Sequence, residues 1–372
     1  MAADHSYGIK TLKSDYKNAA DNTFGLYLGA GVNLYPPGWN KHYPKSCGEP
    51  FPVYAWKDLL RKLYQANEHR PRIRFDTLAQ KHEPDQDWPG LAQDVCKGMQ
   101  DAEITKSLDQ IIYSCMSRES KYKQSRKCFL DQAPTLHAAI CFATAIKEKK
   151  PDHVKSRFQR NRRVEIVITP NYDYFFGAGW TLYEAFKKQW CHQTPYKQSA
   201  RKYREQGLIC SIHGYLPYDP KTDRDRKIVL TRDSYKKAYA SPTVQTGGWT
   251  TYEQARSEGK FADYVLWKAI NEYQLIFIGT SFIDKPLCNM LAAYKGKRRH
   301  FAIVRKSENE LIERVNRLGI TPVMVKEFIE VPDRLRGVYC AGLNDDDRKK
   351  AGFDKPTDYW ERLWLGKTNP KS

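Results

Sequence analysis

The chain of 372 residues is 41% hydrophobic and 13% aromatic, ample for a sizeable core, and carries a formal net charge of +19 from 62 Lys and Arg against 43 Asp and Glu. Residues 1–23 are polar and charged, and the longest apolar stretch, around Leu136 to Ile146, falls far short of the ~20 residues a spanning helix needs. The sequence therefore predicts a soluble, cytoplasmic protein with no secretory signal and no membrane contact. Its nine cysteines are scattered singly with no C-x-x-C, and neither HExxH nor G-x-S-x-G occurs, which argues against a disulfide scaffold, a zinc ribbon, a zincin or an α/β-hydrolase.

Six short apolar runs read as strands, with helical patterns between them. The first, Phe24 to Leu28, leads into LGAGVN, where Gly29, Ala30 and Gly31 let the backbone turn sharply and approach a ligand closely. A side chain at Gly31 is expected to block that approach with little effect on folding. A helical insertion follows over about 53–160, with one apolar face at Trp56, Leu59, Leu60, Leu63 and Tyr64, another at Leu108, Ile111, Ile112 and Cys115, and a third at Leu136, Ala139, Ile140 and Ala143. The second strand, Val164 to Ile168, ends at Thr169-Pro170, and Pro170 cannot continue a central ladder. Asn171, Tyr172 and Asp173 thus fall at its carboxyl end, ahead of Phe175 and Phe176.

A second insertion spans about 180–205. The strand Leu208 to Ile212 then ends in His213-Gly214. A third insertion, about 232–273, opens where Thr231 and Ser234 can cap a helix. The strand Leu275 to Ile278 runs into GTSF, in which Gly279 allows close approach and the Thr280 and Ser281 hydroxyls can bond phosphate or ribose. Strands Phe301 to Val304 and Thr321 to Val325 complete the set. Residues 331–372 read as an extension whose terminal helix carries Tyr359, Trp360, Leu363 and Trp364. The alternation predicts an α/β fold, a doubly wound Rossmann-like parallel sheet of about six strands with helical insertions, in a domain covering residues 1–330.

Two basic runs, Lys147 to Arg163 and Lys295 to His300, hold much of the excess charge. Such runs are often just solvated surface, but they can also meet nucleotides, nucleic acid or an acidic protein.

The segments GAG, TPNYD, IHG and GTSF, in that order and each at the carboxyl end of a strand, resemble the sirtuin family, and specifically the bacterial sirtuin-like NAD hydrolases of anti-phage defence. IVLTRDSY (228–235) is similar to a segment of that subgroup. The resemblance implies that Gly29, Ala30 and Gly31 hold the NAD pyrophosphate, that Asn171 and Asp173 lie beside the nicotinamide ribose, that His213 is the catalytic histidine, and that Gly279, Thr280 and Ser281 face the adenosine side. Asn33 stands where the family usually has Ser or Thr, and PPGWN (36–40) replaces the Asp-Phe-Arg segment of deacetylases. The four-Cys zinc module of protein-deacylating sirtuins is missing, so no metal is expected. NAD is then a substrate to be hydrolysed. The resemblance further implies abortive-infection defence by NAD depletion, and assembly as a homo-oligomer or with a partner such as a DNA translocase or an argonaute-like protein.

The residue types suit that chemistry. Cleaving the ribose C1′–nicotinamide bond releases a neutral leaving group and builds positive charge on the sugar. Asn171 can hold a water near C1′, and His213 can bond a ribose hydroxyl or take a proton. Asp173 can orient one of these or satisfy the turn backbone. A non-catalytic NAD or ADP-ribose binding module and a zinc-independent deacylase are the alternatives.

Overall fold

Runs that stay apolar at consecutive positions, as in VEIVIT, suit strands covered on both faces. The computed structural model describes residues 6–19, 23–33, 54–112, 134–144, 146–147, 161–162, 164–172, 190–193, 207–216, 228–239 and 252–342. Its strands are β1 (Phe24–Leu28), β2 (Ile146–Lys147), β3 (Asn161–Arg162), β4 (Val164–Thr169), β5 (Trp190–Gln193), β6 (Gly207–Ser211), β7 (Gln274–Ile278), β8 (Phe301–Arg305) and β9 (Thr321–Val325). Seven of them form one parallel sheet in the order β5-β6-β4-β1-β7-β8-β9, and β2 and β3 pair antiparallel outside it. The expected α/β doubly wound sheet is therefore present, with β5 added at one edge inside the segment read as the second insertion.

The helices are α1 (Tyr7–Asn18), α2 (Trp56–Ala66), α3 (Phe75–His82), α4 (Trp88–Val95), α5 (Asp101–Ile112), α6 (Pro134–Thr144), α7 (Arg232–Ala238), α8 (Tyr252–Ser257), α9 (Phe261–Glu272), α10 (Lys285–Ala293), α11 (Asn309–Arg317) and α12 (Val331–Ala341). Alternation along β1 divides the core. Phe24, Leu26 and Leu28 pack with α1, α6 and α12 on one face, and Tyr27 packs with α9, α10 and α11 on the other. Each fully buried Leu or Phe contributes about 1.5–3 kcal/mol relative to exposure.

A third apolar cluster, built from α2 to α5 around Leu60, Leu63, Leu91, Val95 and Leu108, takes in Tyr172, Leu216 and Leu230 from loops at the sheet's carboxyl edge. This is the helical insertion proper. In contrast, α6 and α9, which the sequence reading assigned to insertions, cover the sheet, and α12 belongs to the body because Val331, Leu335 and Val338 are buried in the first cluster. The aromatics at 359, 360 and 364 lie outside the described residues, as do Cys115 and most of the basic run 147–163. Among the described residues no helix is long and apolar enough to cross a membrane.

The chain leaves β1 toward β4 on one side, while β7 to β9 build outward on the other, so the crevice of this sheet lies between β1 and β7. These strands pair in unbroken register from Phe24↔Gln274 to Leu28↔Ile278, which brings the following turns to one level. There Gly29 N–H donates to Ile278 C=O (2.9 Å) and Gly31 N–H to Gly279 C=O (2.9 Å). A Cβ on Gly29 would lie 2.4 Å from the Gly279 oxygen, one on Gly31 2.9 Å from the Gly279 Cα, and one on Gly279, whose φ is +66°, 2.2 Å from Val32 N. The glycines of the first turn serve contact with the second.

This corrects the expectation that Gly31 could carry a side chain without folding cost, because the added atoms meet backbone that cannot rotate away. Gly31→Val is expected to destabilise the protein by about 1–3 kcal/mol, as overpacking usually does. Urea unfolding monitored by circular dichroism reads this directly: the midpoint should fall at unchanged slope, and an unchanged midpoint would show that the turns separate freely.

Candidate active site

Over the β1–β7 junction lies a cavity of about 470 Å³, a size usual for small-molecule sites. Gly29, Ala30, Gly31, Asn171, His213, Gly279, Thr280 and Ser281 all line it, so the four segments singled out in the sequence share one space. The helical insertion supplies the opposing wall through Tyr54, Trp56 and Trp88. The N–H groups of Gly29, Gly31 and Val32 are bonded within the turns, which leaves other donors, such as the Ala30 N–H and the Thr280 hydroxyl, to meet phosphate. Thr280 Oγ1 is buried without a partner.

Asn171 is fixed by the way β4 stops. The Thr169 hydroxyl donates to Leu28 C=O (3.0 Å) and accepts from Asn171 N–H (3.1 Å), and Asn171 Nδ2 donates to Gly29 C=O (3.2 Å). With the amide so oriented, Oδ1 remains as an acceptor for a ligand.

His213, at the end of β6, is 1% exposed. Its ring donates to the Pro170 carbonyl, Nε2 lies 2.7 Å from the Tyr239 hydroxyl, and Nδ1 lies 3.5 Å from the Tyr235 hydroxyl. The arrangement satisfying both close contacts puts the proton on Nδ1 toward Pro170 and lets Nε2 accept from Tyr239. Burial pushes the imidazole down to about 3, against a smaller upward pull from Pro170, so the ring is neutral throughout the physiological range. Burial likewise raises both tyrosines, which stay protonated.

The two tyrosines reach His213 because Thr231 caps α7, its hydroxyl accepting from Ser234 N–H (3.3 Å), as the sequence suggested. Four residues apart, Tyr235 and the C-capping Tyr239 share one face. Val229 N–H to His213 C=O (2.9 Å) and the Tyr172 hydroxyl to Val229 C=O (2.7 Å) fasten the preceding segment. Tyr172 is buried and also borders the cavity.

The GTSF turn contains two left-handed residues, Gly279 and Phe282 (φ +53°), the second costly for a side chain. Arg314 from α11 holds it by donating to the carbonyls of Ser281 (3.0 Å) and Phe282 (3.4 Å), and Cys288 donates to the latter (3.1 Å). Next comes Asp284, which borders the cavity at the N-cap of α10 without capping it; burial raises its carboxyl to about 7.

At the other end Glu308, Leu311 and Phe328 line the cavity. Arg305 donates to Glu308 Oε1 (2.7 Å) and lies 5.3 Å from the Phe328 ring centre, but does not itself border the space. The helical insertion is tied to α7 by Arg232, which pairs with Asp87 at the N-cap of α4. Burial works to raise the Asp87 carboxyl, but bonds from Arg232 and Gly90 N–H outweigh it and hold it below the usual range. His82 lies between Asp94 (2.9 Å) and Asp87 (3.4 Å).

Asp173, Phe175, Phe176 and the side chain of Asn33 lie outside the described residues. The basic loop Lys295 to Arg299 is exposed at the amino end of β8, away from the cavity edge. Sequence reasoning missed Tyr235, Tyr239, Asp284, Glu308 and the aromatic wall. Only the four-residue tyrosine spacing was there to be read.

No curated protein matches the chain. A family model does, over less than half of it, from β4 to β9 and including Asn171, His213 and the GTSF turn but neither the first glycine turn nor the helical insertion. Residues 165–323 are similar to the SIR2-like domain, whose members in general use NAD as substrate.

Proposed function

We propose that the protein is an NAD glycohydrolase, releasing nicotinamide and ADP-ribose. The observation that carries this reading is the single cavity laid across the β1–β7 junction, with an acceptor amide and a neutral imidazole at one end and a carboxylate among apolar groups at the other. A dinucleotide has matching ends: a reactive ribose, a central pyrophosphate and an adenosine.

Loss of neutral nicotinamide needs no general acid, so the protein's work is to orient the ribose and stabilise positive charge at C1′. Asn171 Oδ1 accepts from a ribose hydroxyl or holds the attacking water. Neutral His213 fixes the Tyr239 hydroxyl, and the Trp56 and Tyr172 wall excludes bulk water. The motif resemblance alone supports the biological setting, an anti-phage effector that depletes NAD as an oligomer or with a partner protein.

Incubation with NAD alone, with nicotinamide followed by chromatography, tests the reaction: release without any acetylated peptide is expected, and dependence on peptide would make the protein a deacylase. Asn171→Ala should lower kcat by about 10²–10⁴, the usual cost of losing a positioned catalytic group, while loss of its bond to Gly29 C=O lowers stability by only about 1 kcal/mol.

Ala30 is exposed within the first turn and borders the cavity, so Ala30→Leu adds bulk away from the Gly279 contact. Titration calorimetry should show NAD binding lost while the unfolding midpoint holds; unimpaired binding would move the nucleotide elsewhere.

Glu308 faces the cavity with its cation committed behind it, which suits a ribose diol and repels a 2′-phosphate. NAD should be preferred to NADP, and Glu308→Gln should narrow the ratio of kcat/KM values. An unchanged ratio would remove Glu308 from the adenosine subsite.

A further inference from the structure

Asp284 has no structural task that explains it. At the N-cap of α10 a carboxylate ordinarily accepts from first-turn N–H groups, yet this one makes no capping bond; its Oδ2 is buried without a partner, and the residue, itself only half-buried, lines the cavity. A buried carboxylate without donors costs stability, so its presence calls for another reason.

The groups around it give no relief. Tyr27 faces it from β1, Tyr235 and Tyr239 from α7 and its C-cap, and Cys288 from its own helix; burial pushes all four up, so they are neutral near neutral pH. Arg314 of α11 acts on Cys288, and its guanidinium is spent on the Ser281 and Phe282 carbonyls. Because Tyr235 and Tyr239 also contact His213, Asp284 belongs to the His213 end of the cavity.

His213 meanwhile has its close contacts filled by Pro170 and Tyr239. We infer that Asp284 is the general base of this cavity, the carboxylate that takes the proton of the water attacking ribose C1′, while His213 stays neutral and positions its neighbours. The inference rests on the NAD-cleavage reading. As the C1′–nitrogen bond breaks, its electron pair leaves with nicotinamide; the water oxygen bonds to C1′, and one water proton passes to Asp284 and then to solvent. An ionised carboxylate there also favours the positive sugar. With its acidity raised to about 7, it is poised for such transfer near neutral pH.

The raised acidity has a signed consequence for stability. The native state holds the Asp284 proton more tightly than the unfolded chain does, so stability falls as pH rises from the unfolded value of 3.8 to about 7, and stays reduced above that. Asp284→Asn should therefore melt higher than wild type at pH 8 and alike at pH 4. A carboxylate kept for structure would give a less stable Asn variant.

The deciding experiment is the pH profile of kcat/KM for NAD cleavage between pH 5 and 9 in wild type and Asp284→Asn, with NAD affinity measured by calorimetry and the melting comparison alongside. The wild type should rise along a limb centred near 7, and the variant should lose that limb, drop about 10²–10⁴ in kcat and still bind NAD. Azide, which attacks without losing a proton, should restore nicotinamide release to the variant. An unchanged limb or rate in Asp284→Asn overturns this assignment and leaves the NAD-cleavage reading standing, as does lower stability of the variant at pH 8. Absence of nicotinamide release from the wild type overturns both.

Discussion

Two backbone turns in contact set the geometry of this protein. In-register pairing of β1 with β7 delivers Gly29 to Gly31 and Gly279 to the same level, where peptide groups bond to each other across a gap too small for any Cβ. The sheet reverses its direction of growth at this junction, so the crevice opens directly above it. Asn171 is referenced to the same place through Gly29 C=O, and Thr169 through Leu28 C=O. Positions at the cavity floor are thus set by hydrogen bonds to main-chain carbonyls, from peptide groups at the two turns and from side chains at Thr169 and Asn171.

Above that floor the cavity wall gathers groups that water would normally serve. His213 is satisfied by Pro170 and Tyr239, with Tyr235 beside them, and burial keeps the imidazole and both phenols uncharged. Asp284 and Thr280 retain unsatisfied atoms. The helical insertion closes over them, and its shared core with Tyr172, Leu216 and Leu230 makes the lid part of the body. In such low-dielectric surroundings each charge or dipole acts more strongly on a substrate than it would in water. The Arg232–Asp87 pair then couples the lid to the helix that carries the His213 tyrosines.

Much of the sheet was legible in the sequence because strands buried on both faces leave uninterrupted apolar runs, as in VEIVIT and QLIFI. The edge strand WCHQ has no such run, being four residues long and bordered on one side only. Helix α1 hid among polar residues, its inward face marked only by Gly8, Leu12 and Tyr16 at four-residue spacing. The boundaries of the insertions were misplaced where α6 was read as a single apolar stripe: it is buried at every position from Leu136 to Ala143 and covers the sheet, whereas α5 buries one face in the insertion. At the site, glycines and polar groups following strands could be read from the chain. Asp284 could not, since a carboxylate one residue before a helix reads as a cap, and the absence of the capping bond is a three-dimensional fact. Nor could Glu308 or Trp56, which reach the cavity from elements distant in sequence.

A floor of peptide groups also divides the site by its capacity to change. Substitution alters side chains and leaves the main chain's donors and acceptors in place, so the surface offered to the middle of a ligand stays chemically constant as long as the two turns touch. The walls are made of Tyr54, Trp56, Glu308 and Phe328, each replaceable on its own element. Evolutionary drift in what the protein accepts is therefore channelled mainly to the two ends of the ligand, because at the centre only Ala30 and Thr280 offer side chains to alter.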